Sequence, residues 1–140
     1  MMRKALLFGG LMLLAGCAKD WRQVGYPSSF HYVTKAELRT AMDRMAHSVT
    51  TLDRILRDSK TLTPEQHVEV VEALDNIRQN AFSLRGTDQK TNHKILDDNL
   101  DGFIQNVDAA RRGATAEPPN YFLAGSITGA CLACHQAPPR

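Results

Sequence analysis

The sequence predicts an all-α protein, an antiparallel up-down-up-down four-helix bundle, on three observations. Four segments carry apolar residues at the three- and four-residue steps of a helix that faces a core. Helix start and stop residues bound those segments, two capping boxes among them. No alternation of apolar and polar residues competes for a strand, and the polar connections are short enough to join neighbouring helices running in opposite directions.

At the N-terminus Arg3 and Lys4 precede an apolar run from Ala5 to Ala15. That is the length of a signal-peptide core and falls short of the about 20 residues needed to span a bilayer. The run closes on Leu14-Ala15-Gly16-Cys17, which resembles the lipobox of bacterial lipoproteins. The resemblance implies that residues 1 to 16 are removed, that Cys17 carries the lipid, and that the protein is anchored in the bacterial cell envelope facing the periplasm. Ala18 stands where an aspartate commonly retains lipoproteins at the inner membrane, so the outer membrane is the expected one.

The whole chain has 17 basic and 15 acidic side chains, and the excess lies in Arg3 and Lys4, so the processed chain is close to neutral. A nucleic-acid partner would require a clustered basic excess, and is disfavoured. Residues 17 to 33 read as a lipidated tether in which Trp21, Tyr26, Pro27, Phe30 and Tyr32 follow no period; packing of its aromatics on the domain is expected ahead of the alternative, a place at the membrane interface. Residues 34 to 140 form the helical domain.

The first helix starts at the capping box Thr34-Lys35-Ala36-Glu37 and runs to about residue 58 on the stripe Leu38, Met42, Met45, Val49, Leu52 and Leu56. Asp43, His47, Ser48 and Arg54 are expected on its other faces. A second box, Thr63-Pro64-Glu65-Gln66, places proline at the first helical position and opens the stripe Val70, Leu74, Ile77, Ala81 and Leu84, widened by Val71 and Phe82, with Gly86 as C-cap. The third stripe is Leu96, Leu100, Phe103, Val107 and Ala110, closed by Arg111 and Arg112, which complement the helix dipole, and then Gly113. Gly102 weakens this helix by about 1 kcal/mol relative to alanine without breaking its period. After Pro118 and Pro119, Asn120 is the expected N-cap of a fourth helix to about residue 136, whose Gly125, Ser126, Gly129 and Ala130 are expected to leave room for a flat cofactor.

That helix ends in Cys131-Leu132-Ala133-Cys134-His135. C-x-x-C-H reads as a c-type haem attachment site: two thiols add across the porphyrin vinyl groups and the imidazole becomes an axial iron ligand. Positions i, i+3 and i+4 share one helix face, so all three side chains can meet one macrocycle. A zinc site would need two further ligands at suitable spacing, and a thioredoxin-like pair belongs at a helix start in a βαβ context; neither context is present. One cysteine for lipid and two for haem leave no thiol for a structural disulfide.

With these residues in place the chain resembles the class II c-type cytochromes, the cytochrome c prime-like four-helix family, in lipoprotein form. The resemblance spans about Thr34 to His135 and implies one covalent haem c on Cys131 and Cys134, with His135 as proximal iron ligand. It further implies Met42 as distal ligand, Met45 beside the haem and Arg39 facing a propionate. Leu132 and Pro139 stand where relatives often have lysine and arginine. The implied function is one-electron transfer with periplasmic or membrane redox proteins, and relatives often form homodimers through their first two helices. The alternative is a five-coordinate haem that binds nitric oxide or carbon monoxide. Enzymatic turnover of the peroxidase kind would require a distal acid–base pair, whereas His31, His47, His67 and His93 are expected at the surface.

Overall fold

The structure, a computed structural model, describes residues 30–58, 61–86 and 90–136. The expected signal peptide, Cys17 and all but the last residues of the tether lie outside the described residues, as do Pro139 and Arg140. The described chain is all-helical: α1 Lys35–Asp58, α2 Pro64–Ser83, α3 Lys94–Ala114, α4 Phe122–Ala130 and the single turn α5 Leu132–His135. Successive helices pack on one another, and α4 returns to pack on α1, an arrangement compatible with a four-helix bundle. Among the described residues there is no strand, only an isolated bridge between His31 and Thr91.

Both expected capping boxes form. Thr34 N donates to Glu37 Oε2 at 2.7 Å while Glu37 N donates to Thr34 Oγ1 at 3.2 Å. Thr63 and Gln66 repeat the exchange at 2.9 and 3.2 Å, with Pro64 in the first turn where its missing N–H costs nothing. The second stripe is buried as expected, with Ala73 added.

The first stripe is rotated from its expected phase. Ala41, Met45, Ser48, Leu52 and Ile55 form its buried centre, and Leu38, Met42, Val49 and Leu56 form a half-buried flank. The cause is that α1 packs against both α2 and α4, so its covered arc is wider than one seam and takes in the small Ser48. On α3, Ile104 replaces Phe103 at the centre for the same reason, with Phe103 packed at the edge.

The helix ends also differ from expectation. Gly86 is not a left-handed cap: α2 is capped at Leu84, no described glycine has positive φ, and a Cβ on Gly86 would collide with the Lys90 carbonyl oxygen. Helix α3 continues through Gly113 to Ala114, because the chain folds back onto Gly113, whose carbonyl accepts from Asn120 N at 2.8 Å. A Cβ there would lie 2.8 Å from Asn120 O.

Polar links run along the seams. Arg54 pairs with Glu69 between α1 and α2 at 3.1 Å. Between α2 and α3, Asp75 meets Arg111 at 2.5 Å, Arg78 meets Asp108 at 2.6 Å, and Arg85, just past the end of α2, meets Asp101 at 3.1 Å. Partner numbers fall on α3 as they rise from α2. The guanidinium of Arg78 also lies 4.6 Å from the centre of the Phe82 ring, a cation–π contact.

Candidate functional site

The Cys131–His135 turn sits at the junction of α4 and α5. Where one continuous helix was expected, Cys131 forms a break, preceded by Gly125, Ser126 and Gly129, residues of low helix propensity. The break is slight. Cys131 keeps right-handed helical dihedrals (φ −63°, ψ −28°), and His135 N donates to Cys131 O at 3.2 Å across one helical turn. The helical phase therefore carries through, and Cys131, Cys134 and His135 remain at i, i+3 and i+4 of one face.

That face is set by what α4 buries. Ala124 and Ile127 are its buried residues, and Cys131 follows four residues after Ile127, with its thiol 3.8 Å from the Ile127 carbonyl. Both cysteines are half-buried free thiols, and His135 is exposed at the end of the turn. The small residues expected to leave room do not line this face. Gly125, Ser126 and Gly129 are exposed, and a Cβ on either glycine would meet nothing within 4 Å. The phase fixed by Ala124 and Ile127 turns them outward, beside the exposed Phe122 and Leu132.

Burial pushes the thiols of both Cys131 and Cys134 above the ordinary range, and for Cys134 the neighbouring Cys131 adds to the shift. A dithiol redox catalyst needs the opposite, a thiolate stabilised near neutrality. Among the described residues no three His, Cys, Asp or Glu side chains gather where they could hold a bare metal ion. Cys131, Cys134 and His135 bring two thiols and an imidazole to one helix face, the groups that covalent haem attachment would require.

Asp53 shows which side of α1 faces this helix: its Oδ1 accepts a hydrogen bond from Thr128 Oγ1 on α4 at 2.8 Å. Asp53 lies eleven residues after Met42, about three helical turns, so the two share a flank. Met42 is half-buried on that flank with Leu38, Val49 and Leu56, whereas Met45 is only 6% exposed within the core. Arg39 is exposed and makes no ion pair among the described residues. The turn α5 packs on α3 as well as on α4.

Of the histidines expected at the surface, only His47 is exposed. His31 Nδ1 lies 3.2 Å from Arg85 O, His93 Nε2 lies 3.1 Å from Val33 O, and His67 Nδ1 lies 2.7 Å from the Tyr121 hydroxyl. Each of these three links segments distant in sequence. His31 and His93, helped by the paired bonds of Asn92 to Val33 N and O, fasten residues 31–33 against the loop before α3. The His67–Tyr121 bond ties the start of α2 to the start of α4, where the N-cap is Tyr121, one position after the expected Asn120, whose Oδ1 accepts from Phe122 N at 2.9 Å. No spacing in the sequence announces these links, because each joins residues more than fifty positions apart.

Comparison with protein-family models, with curated proteins and with solved structures finds no match to this chain.

Proposed function

We propose that this chain is a membrane-anchored c-type cytochrome, carrying one covalent haem between facing helices and serving one-electron transfer with redox proteins of the bacterial periplasm or its membranes. The observation that carries the reading is the continuous helical phase through Cys131, Cys134 and His135, which presents two free thiols and an imidazole from one face. The falling and rising residue numbers across the α2–α3 ion pairs support the antiparallel course that places α4 back beside α1.

In this reading Cys131 and Cys134 would hold the porphyrin as thioethers, their S–H groups adding across its vinyl groups with no change in overall oxidation state. His135 and Met42 would supply an imidazole and a thioether to the iron. When bound, the haem supplies an Fe(II)/Fe(III) couple. The chain's part is to bind and orient the group and to bias the couple: a thioether donor favours the reduced metal. The apolar flank of Leu38, Val49 and Leu56 excludes water from the same seam. Met42 is preferred to Met45 because it lies on the flank that faces α4 and is not consumed by core packing.

The test is covalency. Purified wild-type protein should retain haem through denaturing electrophoresis, and Cys131→Ala with Cys134→Ala should release it. Haem lost from the denatured wild type would refute the reading.

A further inference from the structure

We infer that the hydrogen bond from Thr128 to Asp53 is a clasp that positions the helix bearing Cys131–His135 against the Met42 flank of α1, and so governs access to the distal side of the bound haem. The inference rests on the haem reading above. Thr128 Oγ1 donates to Asp53 Oδ1 at 2.8 Å, the one side-chain hydrogen bond between α1 and α4 among the described residues. The other carboxylate oxygen of Asp53 lies 3.8 Å from Arg57 Nη2 one turn on, which steadies the acceptor without competing for the same oxygen.

The helical phases give this bond its reach. Asp53 stands about three turns from Met42 on α1, and Thr128 stands seven residues, about two turns, before His135. Each end of the clasp is therefore in line with one expected axial ligand. At 1.5 Å per residue Met42 lies about 16 Å and His135 about 10 Å along their helices from the clasp. With α1 and α4 antiparallel, both distances run the same way along the seam. A link at that height acts as the pivot of the seam: held, it keeps the two ligand-bearing segments at a fixed spacing; released, it lets them part where the ligands sit. The α1–α4 seam shows no ion pair among the described residues, unlike the charged α2–α3 seam, so this bond is its directional polar link beside the apolar packing of Ala124 and Ile127. Asp53 and Thr128 are positioning residues in this account, since neither reaches the haem itself.

The experiment compares Thr128→Val, which keeps the shape and removes the donor, with Thr128→Ser, which keeps the hydroxyl, and Asp53→Ala with Asp53→Asn, which keeps an acceptor oxygen. The readout is the rate at which carbon monoxide binds the reduced protein, measured after flash photolysis. Thr128→Val and Asp53→Ala should each bind about five-fold faster, the population equivalent of one exposed hydrogen bond of about 1 kcal/mol. Thr128→Ser and Asp53→Asn should stay near wild type, and the Thr128→Val/Asp53→Ala double variant should gain nothing beyond either single variant. Wild-type rates in both truncations, or equal effects of Val and Ser at position 128, would overturn the clasp. A second arm measures amide hydrogen exchange in the purified full-length protein as isolated, with and without Thr128→Val. Faster exchange confined to α4 and the facing side of α1 sustains the clasp, and unchanged exchange overturns it. Absence of covalent haem from the wild type refutes the cytochrome reading by itself, while the exchange arm still decides whether the clasp positions α4.

Discussion

Met42 and Met45 show how much one residue's direction decides. Three positions apart on α1, they differ by about 60° from a full turn, enough to send Met45 into the core and leave Met42 half-buried on the side facing α4. Removing each should therefore fail differently. Met42→Ala should convert a low-spin spectrum to high spin, abolish the sulfur-to-iron charge-transfer absorption and lower the reduction potential, with a modest effect on folding. Met45→Ala should leave the spectrum alone and cost about 2 to 5 kcal/mol in urea unfolding, the usual loss for truncating a buried methionine. A wild-type protein that is already high spin and takes up carbon monoxide freely would replace methionine ligation with the gas-binding alternative. The two thiols were recognisable from their spacing. Their half-burial and suppressed ionisation, the opposite of what a redox-active pair needs, depend on neighbours such as Ile127 that the spacing does not specify.

At the scale of the element, the helix starts were legible and the helix ends less so. A capping box is a local exchange between residues three apart, so Thr34 with Glu37 and Thr63 with Gln66 declare themselves in the sequence. In the first box the backbone N–H of Thr34, then its side chain, hold the Glu37 carboxylate below its usual range, with a smaller attraction from His31. A lowered carboxylate contributes stability above its unfolded pKa, and that contribution disappears as pH falls through the lower folded value. Glu37→Gln should accordingly be less stable than wild type at neutral pH, and the difference should vanish in strong acid. Urea titrations at pH 7 and at pH 2 to 3 check this, and a gap that persists unchanged at low pH would contradict it. Thr34→Ala should cost about 1 kcal/mol at neutral pH as an ordinary lost N-cap. The end of α3 was misplaced because Gly113 reads as a stop, whereas its role is to let Asn120 approach closely, a contact between segments. The same holds for Gly86 and Lys90.

For the whole molecule, three ion pairs link α2 and the residue just past it to α3, and residues 31–33 are fastened to the loop before α3. That fastening gives the proposed tether a fixed point of departure from the domain. The anchor itself is tested by Cys17→Ser: the variant should remain in the soluble fraction, while wild type should sediment with membranes, because one acylated cysteine carries the attachment. Wild-type protein that fractionates as freely soluble would remove the lipoprotein reading and leave the haem reading standing.

By itself the sequence determined what is periodic or local: the all-helical class, the starts of the first two helices, the second helix's buried stripe, and the i, i+3, i+4 placement of Cys131, Cys134 and His135. Those follow from repeat lengths and from bonds between near neighbours, which a linear pattern records in full. Only the tertiary structure decided the rotation of α1 that buries Ser48 and Ile55, the outward turn of Gly125, Ser126 and Gly129, and the structural duties of His31, His67 and His93. It alone brought Asp53 to Thr128. A helix has the same apolar period whichever neighbour covers it, so its phase about its own axis is settled by packing against two partners at once, and that phase decides which methionine faces α4.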